Sequence, residues 1–382
     1  MLVFDPIHGS ISICQKAKAI IDTPEYQRLR NISQLGGIYH VWTGGSHNRF
    51  EHSIGVYHLS KLYMDIINKQ GKYFSDNHKT LISIGALIHD LGHGPFSHLF
   101  DDWLNIISSH EERSIEIFKY MNDKYGFGYS DYDINFIKNV ISPDYEDIEM
   151  TDNRTYLYQI VSSSNGIDVD RFDYILRDCH NTGIKYSFEF DHIINNTHIV
   201  NNELMYSYKA KCSIDSYFNT RYIIYKQVCN HPTVISVEHH IKEALTEIDS
   251  VMNISESIKK KDWEKYCKFT DEVLGVVDFM NNNLLDKASE IINNIKCRSI
   301  LKLVGSITSN EEKHIVSTNM NIVVIKTKIK YHSHELPKYI SDKNIKISLL
   351  QHHYPDEYIT FIMCKEKNNI EANELFNLIS DE

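Results

Sequence analysis

The sequence predicts a mainly α-helical protein with a smaller α+β lobe at its C-terminal end. Apolar residues recur at helical spacing over 237–254, and a run of apolar and small residues over 81–88 indicates a buried helix. From residue 321 the pattern changes to short runs typical of β-strands, over 321–330 and 358–364. A helix is expected again near 372–379.

Composition limits the classes of protein that fit. The chain has 382 residues, 42% of them apolar, and a formal net charge of −11. It is therefore long enough for two or three domains, and its charge argues against a general nucleic-acid partner. No apolar run approaches the ~18 residues of a membrane helix, so we expect a soluble cytoplasmic protein without a membrane partner. The seven cysteines form no CxxC pair, as in a reduced cytosolic chain.

The first elements are a turn-rich opening over 4–9 and a helix that begins at Pro24. Thr23 is suited to cap that helix, and we expect it to end at the glycines of 34–37. A loop over 43–48 then enters another helix, in which Arg49 and His52 are three residues apart. They share a face, so one could bind an anion and the other a metal.

The stretch 87–98 contains three histidines and an aspartate. His89 and Asp90 are neighbours, and neighbours inside a helix point ~100° apart, so they can converge on one metal only where the helix ends. Gly92, Gly94 and Pro95 supply that end, and Pro95 is suited to begin the next helix. Imidazole and carboxylate together suit Zn, Fe, Mn or Mg. The alternative is a set of polar residues satisfied at a helix junction.

Two further histidines follow. His98 and Asp101 share a helix face, and a carboxylate there is expected to raise the pKa of His98 and favour a protonated general acid. Ser109 and Glu112 have the spacing of a capping box, which would place His110 at the first helical position.

The stretch 165–178 is the second informative region. In a helix, Asp170, Tyr174 and Asp178 would recur on one face, while Phe172 and Ile175 would face the core. That face would lead from a metal ligand past an aromatic ring to a second carboxylate. The alternative is a solvated acidic face.

The rest of the chain is less specific. Arg221 and Tyr225 are four apart in an aromatic helix, 259–261 is expected to be a solvated linker, and 271–302 is expected to be helical. We place a helical domain at 1–255 and an α+β lobe at 256–382.

These residues form an H…HD…D pattern that resembles the HD-domain phosphohydrolases. Longer words resemble the sterile-alpha-motif/HD-domain deoxynucleoside triphosphate triphosphohydrolases, without their sterile-alpha-motif domain. They are DPIHG (5–9), IDTP (21–24), QRLR (27–30), SHNRFEHS (46–53), HDLGHGPFSH (89–98) and NGIDVD (165–170). The resemblance is dense from residue 4 to about 240 and thin in the C-terminal lobe.

The resemblance implies cleavage of a dNTP into a deoxynucleoside and inorganic triphosphate, with a divalent metal. It implies metal ligands at His52, His89, Asp90 and Asp170. It implies that His98 protonates the leaving oxygen, that Asp101 and His110 orient His98, and that His93 lies beside the α-phosphate.

The resemblance also implies the substrate contacts. Arg49, Arg171 and Arg221 would hold the triphosphate, with Arg171 standing where the family has a lysine. Gln34 and Asp178 would hold the sugar 3′-hydroxyl, with Leu35 beside them, and Tyr174 would exclude ribose. Cys229 and Asn230 depart from the family at the base, so no base preference is implied.

The family is activated by nucleotides that join its subunits, which implies a homo-oligomer, a dimer or tetramer. Asp22, Gln27 and Arg30 match its guanine-specific activator site, so a GTP or dGTP activator is implied. The second activator site departs at four positions: Phe4, His192, Gln227 and Pro232.

Two other functions stay open at this stage. One is an HD hydrolase of another phosphate ester, such as a nucleoside monophosphate, a cyclic nucleotide or RNA, although three arginines exceed what a monophosphate needs. The other is a non-catalytic module that binds nucleotide or nucleic acid, against which the metal and acid residues argue.

Overall fold

The computed structural model describes most of the chain. The described residues are 1–105, 107–151, 153–277, 279–280, 282–313, 315, 317, 319, 321–331, 335–341, 344–348, 356–365 and 369–380.

Helices dominate the described residues, and the predicted mainly α fold with a small α+β C-terminal part is confirmed. The helices are α1 Gln15–Ile21, α2 Pro24–Gln27, α3 Arg49–Asn68, α4 Asp76–Ile88, α5 His98–Leu104, α6 His110–Tyr125, α7 Asp131–Ile141, α8 Tyr145–Thr151, α9 Val169–Thr182, α10 Phe190–Asn195, α11 Lys211–Ile223, α12 Pro232–Met252, α13 Ile254–Lys259, α14 Trp263–Tyr266, α15 Val273–Val277, α16 Asp286–Lys296 and α17 Ile370–Ser380. The strands are β1 Leu2–Asp5, β2 Gly9–Ser12, β3 Thr197–Val200, β4 Glu203–Ser207, β5 Lys302–Ser309, β6 Ile322–Ile329, β7 Tyr339–Ser341, β8 Asn344–Ser348 and β9 Glu357–Cys364.

Helix α3 is the central element of the larger part. It packs against α4 and α9, and most of its residues are buried. A capping box fixes its start. The Asn48 side chain accepts a hydrogen bond from the backbone N–H of Glu51, and the Glu51 side chain accepts one from the backbone N–H of Asn48. This cap places Arg49 and His52 in the first turn of α3, as the sequence predicted.

The helix that begins at Pro24, α2, is shorter than predicted. Thr23 caps α2 and Pro24 is its first residue, as expected. The helix ends at Gln27, however, and continues only as a 3₁₀ turn over Arg28–Asn31. The expected end at residues 34–37 is therefore wrong, because the Gly36–His40 segment forms a separate 3₁₀ turn.

The predicted role of Pro95 is also wrong. Helix α4 ends at Ile88, with His89 as its C-cap, which is the helix end that the sequence predicted. The next helix, α5, begins only at His98. Pro95 lies in the turn between them, because Phe96 and Ser97 both take left-handed backbone angles (φ of 62° and 59°) that delay the helix.

The C-terminal lobe is built on an antiparallel sheet in the order β5-β9-β6, with α17 packed against β5 and β9. The predicted β6, β9 and α17 are confirmed. The expectation of helix over 271–302 holds only for α15 and α16, since strand β5 begins at Lys302.

Strands of the lobe contact the larger part. Strand β7 pairs in parallel with β4, with Tyr339 opposite Tyr206, and β5 packs against α12. The domain boundary near residue 255 stays a prediction. Among the described helices, none is both long enough and apolar enough to cross a membrane.

Candidate active site

A cavity of about 530 Å³ lies where the ends of α3, α4, α5 and α9 meet α12. This volume is in the range of small-molecule sites. Its lining includes these residues that the sequence analysis selected: Gln34, Leu35, Arg49, His89, Asp90, His98, Asp170, Arg171 and Tyr174. Asp178 and His110 also line it. The lining does not include four other residues of the predicted site: His52, His93, Asp101 and Arg221.

The first of two histidine clusters joins α3, α4 and α9. We call His52, His89, Asp90 and Asp170 the metal cluster. The Nε2 atoms of His52 and His89 lie 3.0 and 3.3 Å from Oδ1 of Asp170. Three distant parts of the chain thus place ligand-type atoms of His52, His89 and Asp170 within 4.8 Å of one another.

Both histidines of the metal cluster are oriented by their other ring nitrogen. His52 Nδ1 bonds Asp173 Oδ2 at 2.8 Å, and His89 Nδ1 donates to the Ala86 carbonyl at 2.8 Å. Metal-ligating histidines show this arrangement, because the outer bond fixes the tautomer and leaves Nε2 for the ion. His89 Nε2 is buried and has no hydrogen-bond partner among the described residues. The residues present therefore fit a divalent metal.

Asp90 belongs to the same cluster. Its Oδ2 lies 3.4 Å from His52 Nε2, and its Oδ1 lies 3.4 Å from His89 Nε2. Arg49 Nη1 donates to Oδ2 at 2.5 Å. Burial raises the pKa of the Asp90 carboxyl, but Arg49 and the neighbouring histidines outweigh it and hold that pKa well below its usual range. Asp90 is thus an anion at neutral pH, as a metal ligand must be.

The carboxylates make this cluster electronegative. Burial lowers the pKa of His52, but Asp170 and Asp173 outweigh it and raise that pKa to about 9. The same field that stabilises a proton on His52 would stabilise a divalent cation between the histidines.

The second cluster lies on the other side of Asp90. We call His93, His98, Asp101 and His110 the acid cluster. The rings of His93 and His110 are stacked 3.9 Å apart, and His98 meets both edge-on at 5.0 and 5.3 Å. Asp101 Oδ2 lies 2.8 Å from His110 Nδ1. These four residues also place ligand-type atoms within 4.8 Å of one another.

Positive groups surround the acid cluster. Arg113 donates to Asp101, and burial, Arg49 and His110 lower the pKa of His98 to about 4. The predicted rise in the pKa of His98 is therefore wrong. Asp101 bonds His110 and Arg113 rather than His98, so its charge is largely neutralised before it can act on His98.

The turn before His98 is held by side chains. Ser97 Oγ donates to the Ser33 carbonyl at 2.5 Å and accepts from Arg49 Nε at 2.8 Å. The Phe96 N–H donates to Asp271 Oδ1 at 2.6 Å. Two successive non-glycine residues with positive φ cost energy, and such strain is found where surrounding contacts fix a functional residue. Here they fix His98 at the first position of α5.

The three arginines have different positions. Arg49 and Arg171 line the cavity, and Arg171 is paired with Asp168, the N-cap of α9. Arg221 does not line it. Its Nε donates to the Tyr174 hydroxyl at 3.1 Å and its Nη1 to the Lys330 carbonyl at 2.7 Å, so it reaches the cavity through Tyr174.

The side of α9 that faces the cavity is arranged as the sequence predicted. Asp170, Tyr174 and Asp178 all line the cavity, while Phe172 and Ile175 are buried in the core.

The Tyr225 ring lies against Arg221, with 4.8 Å between the guanidinium carbon and the ring centre. Tyr225 belongs to a π-helical turn over Ile224–Cys229. Asn230 bonds the Tyr225 carbonyl at 2.9 Å and is not in the lining.

Sequence reasoning missed several supporting residues. Asp173 is fully buried and bonds both His52 and His8, the latter at 2.7 Å. Arg177 donates to Asp173 and to Asp5, at 2.9 Å each. The DPIHG word was visible, but nothing in its spacing showed that the β1–β2 turn would contact α9.

Two other residues were missed because their partners are remote in sequence. His47 Nε2 bonds Asp178 Oδ1 at 2.7 Å, which holds one carboxylate oxygen of Asp178. Glu238 of α12 lines the cavity near Gly37, 201 residues away along the chain.

The predicted activator residues lie outside the cavity. Asp22 and Arg30 are exposed, and Arg30 Nε donates to Gln27 Oε1 at 2.8 Å. The Arg30 guanidinium also covers the Phe50 ring at 3.5 Å. The three residues share one surface, and their role stays a prediction.

Comparison with known proteins agrees with this geometry. The HD domain family matches residues 49–178, the range that supplies the whole metal cluster and the whole acid cluster. The fold and the site therefore define an HD-domain protein.

The curated relatives narrow the class. The chain is 34% identical over 343 residues to the deoxynucleoside triphosphate triphosphohydrolase SAMHD1 of Homo sapiens. That match covers 80% of this chain and 55% of the human protein. It is 32% identical over 321 residues to the deoxynucleoside triphosphate triphosphohydrolase SAMHD1 homolog of Dictyostelium discoideum. That match covers 82% of this chain and 61% of the Dictyostelium protein. It is 36% identical over 349 residues to the putative HD domain-containing protein L394 of Acanthamoeba polyphaga mimivirus. That match covers 80% of this chain and 73% of the mimivirus protein.

The chain thus belongs to the HD-domain family, since it matches the mimivirus HD domain-containing protein at 36% identity over 73% of that protein's length. It spans between a half and two thirds of the length of the two SAMHD1 relatives.

Proposed function

We propose that this protein hydrolyses deoxynucleoside triphosphates to a deoxynucleoside and inorganic triphosphate. The observation that supports this most is the metal cluster, in which two histidines with fixed outer nitrogens turn Nε2 toward Asp170 and Asp90. A divalent cation held there would polarise the α-phosphate and acidify the attacking water.

The chain's own residues supply the rest of the reaction. Water oxygen bonds to the α-phosphorus, and the bond from that phosphorus to the 5′-oxygen breaks. The proton lost by the attacking water goes to solvent, and protonated His98 gives its proton to the 5′-oxygen, which leaves as the deoxynucleoside. With a pKa of about 4, His98 is neutral in the free protein, and a bound triphosphate would offset Arg49 and raise that pKa, so that His98 holds the proton it donates.

The remaining cavity residues would position the nucleotide. Arg49 and Arg171 would bind the triphosphate, Gln34 and Asp178 the 3′-hydroxyl, and Tyr174 would close the space at C2′. Gln34 Oε1 is buried without a hydrogen-bond partner among the described residues, so it has acceptor capacity for a hydroxyl. A guanine nucleotide at Asp22, Gln27 and Arg30 would promote assembly of the active homo-oligomer.

The test is product analysis with each dNTP and NTP, with and without GTP, in metal-supplemented and chelated samples. The expected products are a deoxynucleoside and intact inorganic triphosphate, formed only with metal. Pyrophosphate with a nucleoside monophosphate, or release of phosphate from monophosphates alone, would contradict the proposal. An Asp90→Asn sample prepared in parallel controls for contaminating phosphatases.

A further inference from the structure

Glu238 is a carboxylate in the cavity that neither the metal cluster nor the acid cluster uses. It lies on α12 and lines the cavity with Leu99 and Lys242. Lys242 pairs with Asp102 instead, and Glu238 has no ion-pair partner among the described residues. A charged group left unpaired in a cavity is a candidate ligand contact.

The structure makes specific room for this carboxylate. Glu238 Oε1 accepts from the Gly37 N–H at 3.3 Å. A Cβ on Gly36 would lie 2.9 Å from the same oxygen, and Gly36 also has a φ of +54°. A side chain at position 36 would therefore displace Glu238, so the two glycines hold its carboxylate against the backbone.

The position of Glu238 along the cavity matches the base of a nucleotide. On α9, Asp170, Tyr174 and Asp178 lead away from the metal cluster in steps of one turn, ~5.4 Å each. Asp178 is the sugar contact under the proposed function. Glu238 bonds the backbone at Gly37, three residues beyond Gln34, which is the other sugar contact under the proposed function. Glu238 therefore lies next to the sugar contact, where the base attached to that sugar would reach.

We propose that Glu238 selects the base, favouring guanine most and thymine least. This inference rests on the proposed function and adds a substrate preference to it. A carboxylate only accepts hydrogen bonds. Guanine offers two adjacent donors, N1–H and the 2-amino group, and adenine and cytosine each offer an amino group. Thymine offers one N–H between two carbonyl oxygens, which a carboxylate repels.

The experiment is internal competition among four dNTPs. Equal amounts of all four are mixed with the metal-loaded protein and a fixed GTP concentration, at about pH 8, where Glu238 is ionised above its burial-raised pKa of about 7. The four deoxynucleosides are then quantified over time. Their relative rates give relative kcat/KM, and activation and metal content cancel because all substrates share one sample.

The unmutated protein should consume dGTP about tenfold faster than dTTP, since a hydrogen bond to a charged group is worth about that factor. Glu238→Gln should bring the ratio close to one, because an amide keeps the Gly37 bond and can pair with either base. Glu243→Gln, an exposed position on the same helix, is the matched control and should keep the ratio. An unchanged ratio in Glu238→Gln would overturn the inference.

A binding measurement separates this inference from the proposed function. If no deoxynucleoside forms from any dNTP, the proposed function fails. The increase in Tm caused by dGTP and by dTTP then tests Glu238 without turnover. A dGTP preference that Glu238→Gln removes and Glu243→Gln keeps would support the inference, and equal shifts in all three proteins would overturn it.

Discussion

The metal cluster and the acid cluster are built from the same residue types but have opposite electrostatics. In the metal cluster, carboxylates lie within 3.4 Å of both Nε2 atoms and raise the pKa of His52 to about 9. In the acid cluster, Asp101 is neutralised by Arg113 and His110, and burial with Arg49 lowers the pKa of His98 to about 4. The first environment favours a cation, and the second keeps His98 neutral in the free protein.

The comparison teaches that residue type alone does not assign roles here. Both clusters consist of His and Asp residues, and the ligand-type atoms of all four residues of the acid cluster and of His52, His89 and Asp170 in the metal cluster lie within 4.8 Å of one another. They differ in where the carboxylates point and in how near the arginines lie. Pairs of titratable groups whose surroundings push their pKa values apart commonly divide a reaction between them.

The largest effect is expected from Asp90→Asn. The substitution removes a charge from the metal cluster and leaves Arg49 without its partner, so metal content should fall sharply and turnover should vanish. Loss of an outer-shell partner typically costs ~10–100-fold, and loss of a ligand should cost more. Metal analysis and turnover on one preparation test this. The control is Asp65→Asn, which changes an exposed aspartate of α3 and should keep both the metal content and the turnover. Full metal content with a normal rate in Asp90→Asn would show that Asp90 is not a ligand.

The next effect breaks the other side of the comparison. His98→Ala should keep its metal but lose ~10²–10⁴-fold in kcat, the usual contribution of a general acid. Asp101→Ala should lose less, because Asp101 reaches His98 only through His110. Near-normal turnover in His98→Ala would transfer the proton donor role to His93.

A smaller effect should follow from changes behind the metal cluster. His8 bonds Asp173, which bonds His52, so His8→Ala should loosen His52 and weaken metal affinity. Asp173→Asn should act more directly and cost ~10–100-fold in metal affinity. Titration of the metal-free proteins with Mn²⁺ measures both. His58→Ala is the control, since His58 lies beside the His8 ring but makes no bond to Asp173. Equal Mn²⁺ affinities in the unmutated protein and the three variants would show that the bonds from His8 and Asp173 to His52 are only structural.

The smallest effect concerns sugar selection at the edge of the metal cluster. Tyr174→Ala should narrow the preference for dATP over ATP, because the ring no longer excludes a 2′-hydroxyl. Burying that hydroxyl unpaired costs roughly 1–3 kcal/mol, so the expected change is about tenfold. The measurement is kcat/KM for dATP and ATP at fixed GTP. Equal turnover of both by the unmutated protein would refute the steric argument.

Local signals in the sequence predicted what depends on neighbouring residues. The cap of α2, the helix end at His89, the capping box at Ser109 and the cavity-facing side of α9 were all correct. The start of α5 was missed because long-range bonds from Ser33 and Asp271 stabilise the strained turn before it. Such contacts leave no periodic pattern.

The candidate site was predictable in membership but not in electrostatics. Every residue of the two clusters was selected from the sequence, yet the pKa of His98 was expected to move in the wrong direction. Its sign depends on Arg49 and on the pairing of Asp101 with Arg113, partners that only the fold brings together. The contacts of Glu238 and His47 were not predictable, because their partners lie more than a hundred residues away along the chain.

The most direct test of the two-cluster account is anomalous X-ray diffraction from crystals of the Mn²⁺-loaded protein. The account predicts one strong peak within about 2.0–2.3 Å of the Nε2 atoms of His52 and His89 and of the carboxylates of Asp90 and Asp170. It predicts no peak among His93, His98 and His110. A peak in the acid cluster, with none in the metal cluster, would contradict the division of roles between them.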